Sequence, residues 1–352
     1  MKFNRVIKIG NFRIHNNSPV FIIAEAGVNH CGSLKMAKRL IDAAVEVGAD
    51  AVKFQTFKAE EVVIKNAPMA GYQKKNIGKR ESQLEMLKKL ELKYEDFVDL
   101  KKYCDKKDII FLSTPHSEGA TDILEDLVPA YKIGSGDLNN HPFLDKVAKK
   151  GKPIILGTGM ATLEEVREAI DIIYRQNNKE IILLHCTTNY PCPLEEVNLR
   201  AMVSMKNEFN CLVGYSDHTH GIIVPVVAIT LGAVVIEKHF TLNKNLVGPD
   251  HKASLEPKEF QEMVEKIREI EIILGSKEKK PTKSERKIMK IARKSIVANK
   301  YIFKRSRITK DMLAIKRPGT GIEPKYLNKL IGKFTKDEIK KDEVLTWKKV
   351  SL

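Results

Sequence analysis

No run of about 18 apolar residues, the length a helix needs to cross a bilayer, occurs in this 352-residue chain. Residues 1–11 also lack the apolar segment of a secretory leader. Neither a membrane span nor export by that route is expected, and a cytoplasmic protein is. Cysteine is sparse: Cys31, Cys104, Cys186, Cys192 and Cys211 are scattered, odd in number, and form no C-x-x-C pair. That excludes a disulfide framework or a zinc knuckle and suits a reducing compartment. No G-x-G-x-x-G follows the first strand-like run, which argues against a doubly wound dinucleotide-binding sheet.

Charge is present in quantity but unevenly. The net charge is +16, and residues 277–352 alone carry 24 Lys/Arg against 8 Asp/Glu, which leaves residues 1–276 neutral. Such a basic segment fits nucleic-acid binding, a module receiving an anionic substrate, or simply a solvated Lys-rich surface. Its aromatics, Tyr301, Phe303, Tyr326, Phe334 and Trp347, form no recognised stacking motif, so no nucleic-acid partner is expected.

The apolar pattern supplies an architecture. Aliphatic runs at 20–25, 51–55, 109–113, 130–133, 153–156, 181–185, 212–215 and 234–238 read as strands, several buried on both faces. Helical periodicity separates them, as at 34–47, 94–106, 163–175 and 222–231, with a polar insertion at 58–92. Eight alternating units predict an α/β fold, a (β/α)8 TIM barrel over 1–276. A charged linker at 277–290 and a compact β-rich module at 291–352 are expected to follow.

Each strand-like run ends in polar side chains: Glu25; Lys53 and Gln55; Ser113 and Thr114; Lys132 and Ser135; Thr158; His185 and Thr187; Ser216, Asp217 and His218; Glu237 and His239. Barrel enzymes gather catalytic groups at that end of the strands. Lys53 and Lys132 with neighbouring hydroxyls suit a phosphate or carboxylate cradle, or alternatively ion pairs inside the barrel. His218 and His239 suit an open site for Mn²⁺, Mg²⁺ or Co²⁺ rather than a closed zinc site. Glu25 reads equally as a proton-transfer group and as a salt-bridge partner of Lys53.

The ordered motifs Ala24-Glu-Ala-Gly-Val-Asn-His30, Lys53-Phe-Gln-Thr56, Tyr72-Gln-Lys-Lys-Asn76, Lys132-Ile-Gly-Ser-Gly136, Gly214-Tyr-Ser-Asp-His-Thr219, Ile236-Glu-Lys-His-Phe-Thr241 and Gly248-Pro-Asp-His251 resemble the N-acetylneuraminate (sialic acid) synthase family, which includes N,N'-diacetyllegionaminate synthases. Lys316-Arg-Pro-Gly-Thr-Gly321 is similar to the antifreeze-like (SAF) domain of that family. The resemblance implies a transferase that condenses phosphoenolpyruvate with N-acetylmannosamine, giving N-acetylneuraminate and phosphate by C–O cleavage. A 2,4-diacetamido-2,4,6-trideoxymannose substrate is the alternative within the family, and a 3-deoxy-octulosonate-type aldolase the alternative outside it.

By the same resemblance, Lys53, Thr114, Lys132, Ser135 and Ser216 bind phosphoenolpyruvate, Glu25 is the main proton-transfer residue, and His218 and His239 hold the metal, Mn²⁺ first. Gln55, Asn76, Tyr190 and Asp250 face the sugar, with Asp137 beside them where some members have Glu. Gly157 stands where some have Ser. A domain-swapped homodimer is implied, with Arg317 reaching the neighbouring active site.

Overall fold

The structure, a computed structural model, describes residues 1–77 and 81–351. It divides into two units, Met1–Gly275 and Ser276–Leu352.

The first unit opens with an antiparallel pair, β1 (Ile7–Ile9) and β2 (Phe12–Ile14), followed by the barrel strands. These are β3 (Phe21–Gly27), β4 (Ala51–Thr56), β5 (Ile110–Pro115), β6 (Tyr131–Ile133), β7 (Ile154–Gly157), β8 (Ile181–His185), β9 (Leu212–Asp217) and β10 (Val235–His239). All eight strands expected from the sequence are present, with ends shifted by one or two residues. They form one sheet in the order β5-β4-β3-β10-β9-β8-β7-β6, every ladder parallel. Joining β3 to β10 wraps first strand onto last, so the sheet is a nearly closed TIM-like barrel. Only the β5–β6 seam lacks a ladder among the described residues.

The intervening helices form where the sequence caps and faces them. Ser33 accepts from the Met36 amide at the start of helix Leu34–Glu46, whose Ala37, Leu40, Ile41 and Ala44 fall on one buried stripe. Thr162 and Glu165 make a reciprocal capping box at helix Leu163–Arg175. These stripes pack on the outward residues of the strands, such as Ile22, Val52, Phe111, Ile133, Leu183 and Val213, in one large core. The insertion at 58–92 is not structureless: it holds helices Ala59–Val62, Gly71–Ile77 and Gln83–Leu90, and Met69, Met86 and Leu90 pack with Val28 and Phe57.

The inward residues make a second core. Phe21, Ile23, Ala51, Leu112, Ala130, Ile155, Ile182, Leu184, Leu212 and Val235 pack with Ile7, Ile9 and Ile14 of the β1–β2 pair, which closes the N-terminal end of the barrel.

The second unit pairs β11 (Ser295–Ala298) with β12 (Leu313–Lys316) and buries Ile296, Ile302, Ile308, Leu330, Ile339 and Val350. Val344 adds a single bridge to Val297. Much of the stretch read as linker is helical: Lys283–Ala292 is capped by Thr282 with Glu285. This helix does not register in the sequence pattern, because a run of charges hides its capping box.

Candidate active site

A side chain two positions further along a strand points to the same face. One such stride carries β3, β4, β5, β6 and β10 from the apolar inner layer into a polar one. Ile23 leads to Glu25, Ala51 to Lys53 and Gln55, Leu112 to Thr114, Ala130 to Lys132, and Val235 to Glu237 and His239. On β9 the stride passes Gly214 to reach Ser216 and then His218. These residues, with Ser135, Cys186, Thr188 and Tyr190, line a cavity of about 170 Å³ at the C-terminal end of the strands.

Its floor is a buried quartet of charges. Lys53 Nζ lies 2.7 Å from Glu25 Oε2 and 3.8 Å from Glu237 Oε2, and Lys132 Nζ lies 3.2 Å from Glu237 Oε1. Glu25 and the two lysines are thus ion-paired, as one of the two readings of each had it, and they also line the cavity. Hydroxyls complete the ring, with Lys53 donating to Thr114 at 3.1 Å and Ser216 donating to Glu237 at 2.8 Å. Gln55 donates to Glu25 Oε1 at 3.3 Å.

Gly27 is what lets Glu25 sit there. The β3–β4 register shifts at a bulge between Glu25 and Gly27, and Gly27 has φ +50. A Cβ on Gly27 would stand 3.1 Å from Glu25 Oε1, so glycine answers both the left-handed backbone and the crowding.

The two carboxyls are pushed apart. Burial raises that of Glu25 above the usual carboxylate range, and Lys53 does not fully offset it. Burial acts on Glu237 too, but Lys132 and Lys53 on either side overcome it and hold that carboxyl at about 2. For Lys132, burial disfavours the charge, yet Glu237 and Glu25 raise it above an ordinary lysine. The pair thus holds one permanent carboxylate and one group poised to keep a proton.

At one side of the cavity the rings of His218 and His239 lie 5.4 Å apart, with Tyr190 at 4.1 Å from the first and 5.3 Å from the second. Burial lowers His218 to about 4 and His239 well below its ordinary value, so both are neutral, the form that ligates metal. His218 Nδ1 faces the Thr187 carbonyl at 2.6 Å and so carries the proton, leaving the Nε2 lone pair, with Ser216 Oγ 3.5 Å away, for a ligand. His239 Nδ1 is buried without a hydrogen-bond partner, as expected of a nitrogen awaiting a ligand. Among the described residues no third His, Cys, Asp or Glu joins them. The donor set fits an open cation site, with remaining positions left for water or substrate.

Of the residues the sequence singled out, Glu25, Lys53, Gln55, Thr114, Lys132, Ser135, Tyr190, Ser216, His218 and His239 come together in the cavity. Asn76, Asp137 and Asp250 do not line it. Asn76 donates to the Pro249 carbonyl at 2.6 Å, and Asp137 pairs with His116 and Asn140. Asp250 is buried nearby, and its burial with the charge of Glu25 pushes its carboxyl up to about 7. Arg317 lies in the second unit, its Nε donating to the Ala292 carbonyl at 3.1 Å. Ser113 turns outward and bonds Thr56, as the two-residue period requires. His185 is tied to the Val197 carbonyl. The residue that sequence reasoning undervalued is Glu237, which touches both lysines. The signal was there: it stands two residues before His239, on the same face of β10.

Asp217 and Lys238 occupy the opposite faces of those strands and pair with each other in full burial. Their ion pair fixes β9 against β10 from outside and keeps two further charges away from the cavity.

Sequence and structure comparisons agree on what this arrangement is similar to. The pattern of the NeuB family matches residues 40–279, and that of the SAF domain matches residues 293–351. The N,N'-diacetyllegionaminic acid synthase of Campylobacter jejuni is 48% identical over 92% of this chain and 98% of its own. That of Legionella pneumophila is 47% identical over 94% of each. A crystal structure of the N-acetylneuraminic acid synthetase of Leptospira borgpetersenii superposes with a TM-score of 0.72 at 35% identity, covering 82% of this chain and 96% of that one.

Proposed function

The chain belongs to the NeuB family and ends in a SAF domain, and from that premise we propose that it joins phosphoenolpyruvate to the aldehyde of an open-chain, N-acylated mannosamine-type sugar, releasing phosphate and forming a nonulosonic acid. The observation that carries this reading is the buried quartet Glu25–Lys53–Glu237–Lys132 in one cavity.

The quartet is neutral when both carboxyls are ionised, which is a poor receptor for a multiply charged anion. It becomes a good one when Glu25 is protonated, and Glu25 is the carboxyl that burial already holds up. An arriving phosphate and carboxylate add negative charge beside it and raise it further. Substrate binding and proton loading on Glu25 therefore support each other. Lys53 and Lys132 hold the anion as point charges, while Thr114, Ser135 and Ser216 fix its orientation.

C3 of phosphoenolpyruvate then bonds to the aldehyde carbon, and positive character develops at C2. Water adds at C2, and the tetrahedral centre expels phosphate by C–O cleavage. Glu25 holds the proton that this sequence must move, and Tyr190 shields the cavity wall beside the histidines. A divalent cation fits His218 and His239, Mn²⁺ first and Mg²⁺ or Co²⁺ after it, and when bound it supplies Lewis-acid polarisation of the aldehyde. Gln55, Asn76, Asp137, Tyr190 and Asp250 complete the sugar's surroundings in this reading. A cytoplasmic homodimer in which Arg317 of one copy reaches the sugar of the other belongs to it as well.

From the motifs alone, N-acetylmannosamine stood first as the sugar. Two of the relatives near half identity over almost the whole chain are N,N'-diacetyllegionaminic acid synthases, whereas the N-acetylneuraminic acid synthetase stands at 35%. That favours 2,4-diacetamido-2,4,6-trideoxymannose, with N-acetylmannosamine as the second reading. Phosphate release from phosphoenolpyruvate, measured with Mn²⁺ and each sugar in parallel, tests both levels. Release with the diacetamido sugar, lost on chelation, is expected. Release with neither sugar from folded protein would overturn the reaction class.

A further inference from the structure

A second set of reactive side chains stands outside the cavity, where the turn after β3 meets the segment after β10. Cys31 is exposed, whereas Cys104, Cys186, Cys192 and Cys211 are buried. Its Sγ lies 3.3 Å from Nε2 of His251, and none of the cavity-lining residues is involved. The His251 ring is fully buried, and its Nδ1 lies 2.7 Å from Thr241 Oγ1. The Thr241 hydroxyl donates to the Asn243 carbonyl at 3.2 Å, so towards His251 it accepts. With the hydroxyl so oriented the ring proton is on Nδ1, and Nε2 is the nitrogen that faces the thiol at 3.3 Å. Burial keeps the imidazole neutral, with its pKa lowered to about 4.

The ring has no freedom to turn away. A Cβ on Gly248 would stand 2.6 Å from His251 Cδ2, so only glycine fits against its face. A nucleophile, a neutral base within hydrogen-bond reach and a third group orienting the base are the parts of an activated thiol.

We infer that Cys31 is a base-assisted nucleophile open to soft electrophiles, with His251 receiving its proton and Thr241 fixing the ring. Partial burial raises the thiol above its ordinary value, so the reacting species is the thiol with its base rather than a standing thiolate. With iodoacetamide as electrophile, the S–C bond forms as the C–I bond breaks; iodide leaves, and the thiol proton moves to His251 Nε2. This site does not depend on how the barrel mouth is read.

The test is the rate of alkylation of the intact native chain by iodoacetamide, followed cysteine by cysteine with peptide mass spectrometry. Cys31 is expected to label first, and His251→Asn to slow it by about tenfold or more, the low end of what a positioned base contributes. Thr241→Val keeps the ring but removes the acceptor of its Nδ1–H, and is expected to slow labelling less. Each variant's fold is checked by thermal melting, and Thr241→Val carries the test should His251→Asn fail to fold. Unchanged or faster labelling of Cys31 in a folded variant overturns the inference, as does earlier labelling of a buried cysteine.

Discussion

The lower and upper halves of the barrel interior are built from the same strands and differ almost completely in chemistry. Below, Phe21, Ile23, Ala51, Leu112, Ile155, Ile182, Leu212 and Val235 pack with Ile7, Ile9 and Ile14 of the β1–β2 pair in an apolar layer. Above, towards the C-terminal ends of the strands, two lysines, two carboxyls and three imidazoles (His116, His218 and His239) share a cavity. Burying charges costs several kcal/mol each even when they are paired. The apolar layer supplies the offsetting stability, about 1.5–3 kcal/mol for each large aliphatic side chain withdrawn from water. The lesson is a division of labour along single strands: residues a few ångströms apart are held to different standards, one of packing and one of reactivity.

Substitutions in the two layers should therefore fail in different ways. Glu25→Gln keeps the shape of the upper layer and removes its exchangeable proton. Turnover, measured as phosphate release per folded molecule, is expected to fall by about 10²–10⁴-fold. A variant that retained turnover would break the comparison, since the upper layer would then be structural too. Glu237→Gln should do more to stability. It leaves Lys53 and Lys132 with one carboxylate between them, and removing one partner of a buried pair costs about 3–5 kcal/mol, read by denaturant unfolding. In the lower layer, Ile155→Ala is expected to cost about 2–5 kcal/mol through lost burial and a cavity. Turnover per folded molecule should be unchanged, and a loss of turnover at full folding would show the layers to be coupled.

The same contrast explains what the sequence disclosed. The eight strands and the polar residues at their ends were readable because buried parallel strands write continuous aliphatic runs, and those runs stop where the cavity begins. The β1–β2 pair was not read: three residues per strand is too short for an alternation, and its fixed point is a contact with strands far along the chain. Glu237 was visible as a strand-end carboxylate, but its place between Lys53 and Lys132 depends on how β10 lies beside β3 and β9. Register of that kind is set by closure of the sheet, not by local pattern. Asn76, from the insertion, and Asp250, after β10, likewise meet their partners only through the folded loops, Asn76 by reaching the Pro249 carbonyl. The helix Lys283–Ala292 was missed for the opposite reason, since a run of charges hides a good capping box.

The smallest effect expected is a difference in acid response between the lower layer and a buried histidine outside the cavity. His30, in the turn that follows β3, is buried; burial lowers its pKa from 6.5 to about 4. Its Nδ1 accepts from the Gly32 amide at 3.1 Å, and its Nε2 finds no hydrogen-bond partner. Between those two values the unfolded chain binds the proton that the folded chain refuses. Its share of stability is thus complete above about pH 6.5 and is lost as the pH falls through about 4. Replacing it by Asn removes this linkage along with some packing. The stability gap between wild type and His30→Asn, followed by denaturant unfolding, should be widest near neutrality and narrow as the pH is lowered. Ile155→Ala carries no titrating group, so its deficit should hold constant over the same range. Parallel curves for the two variants would mean that His30 takes up its proton as readily in the folded chain as in the unfolded one, and that its site is wetter than its burial implies.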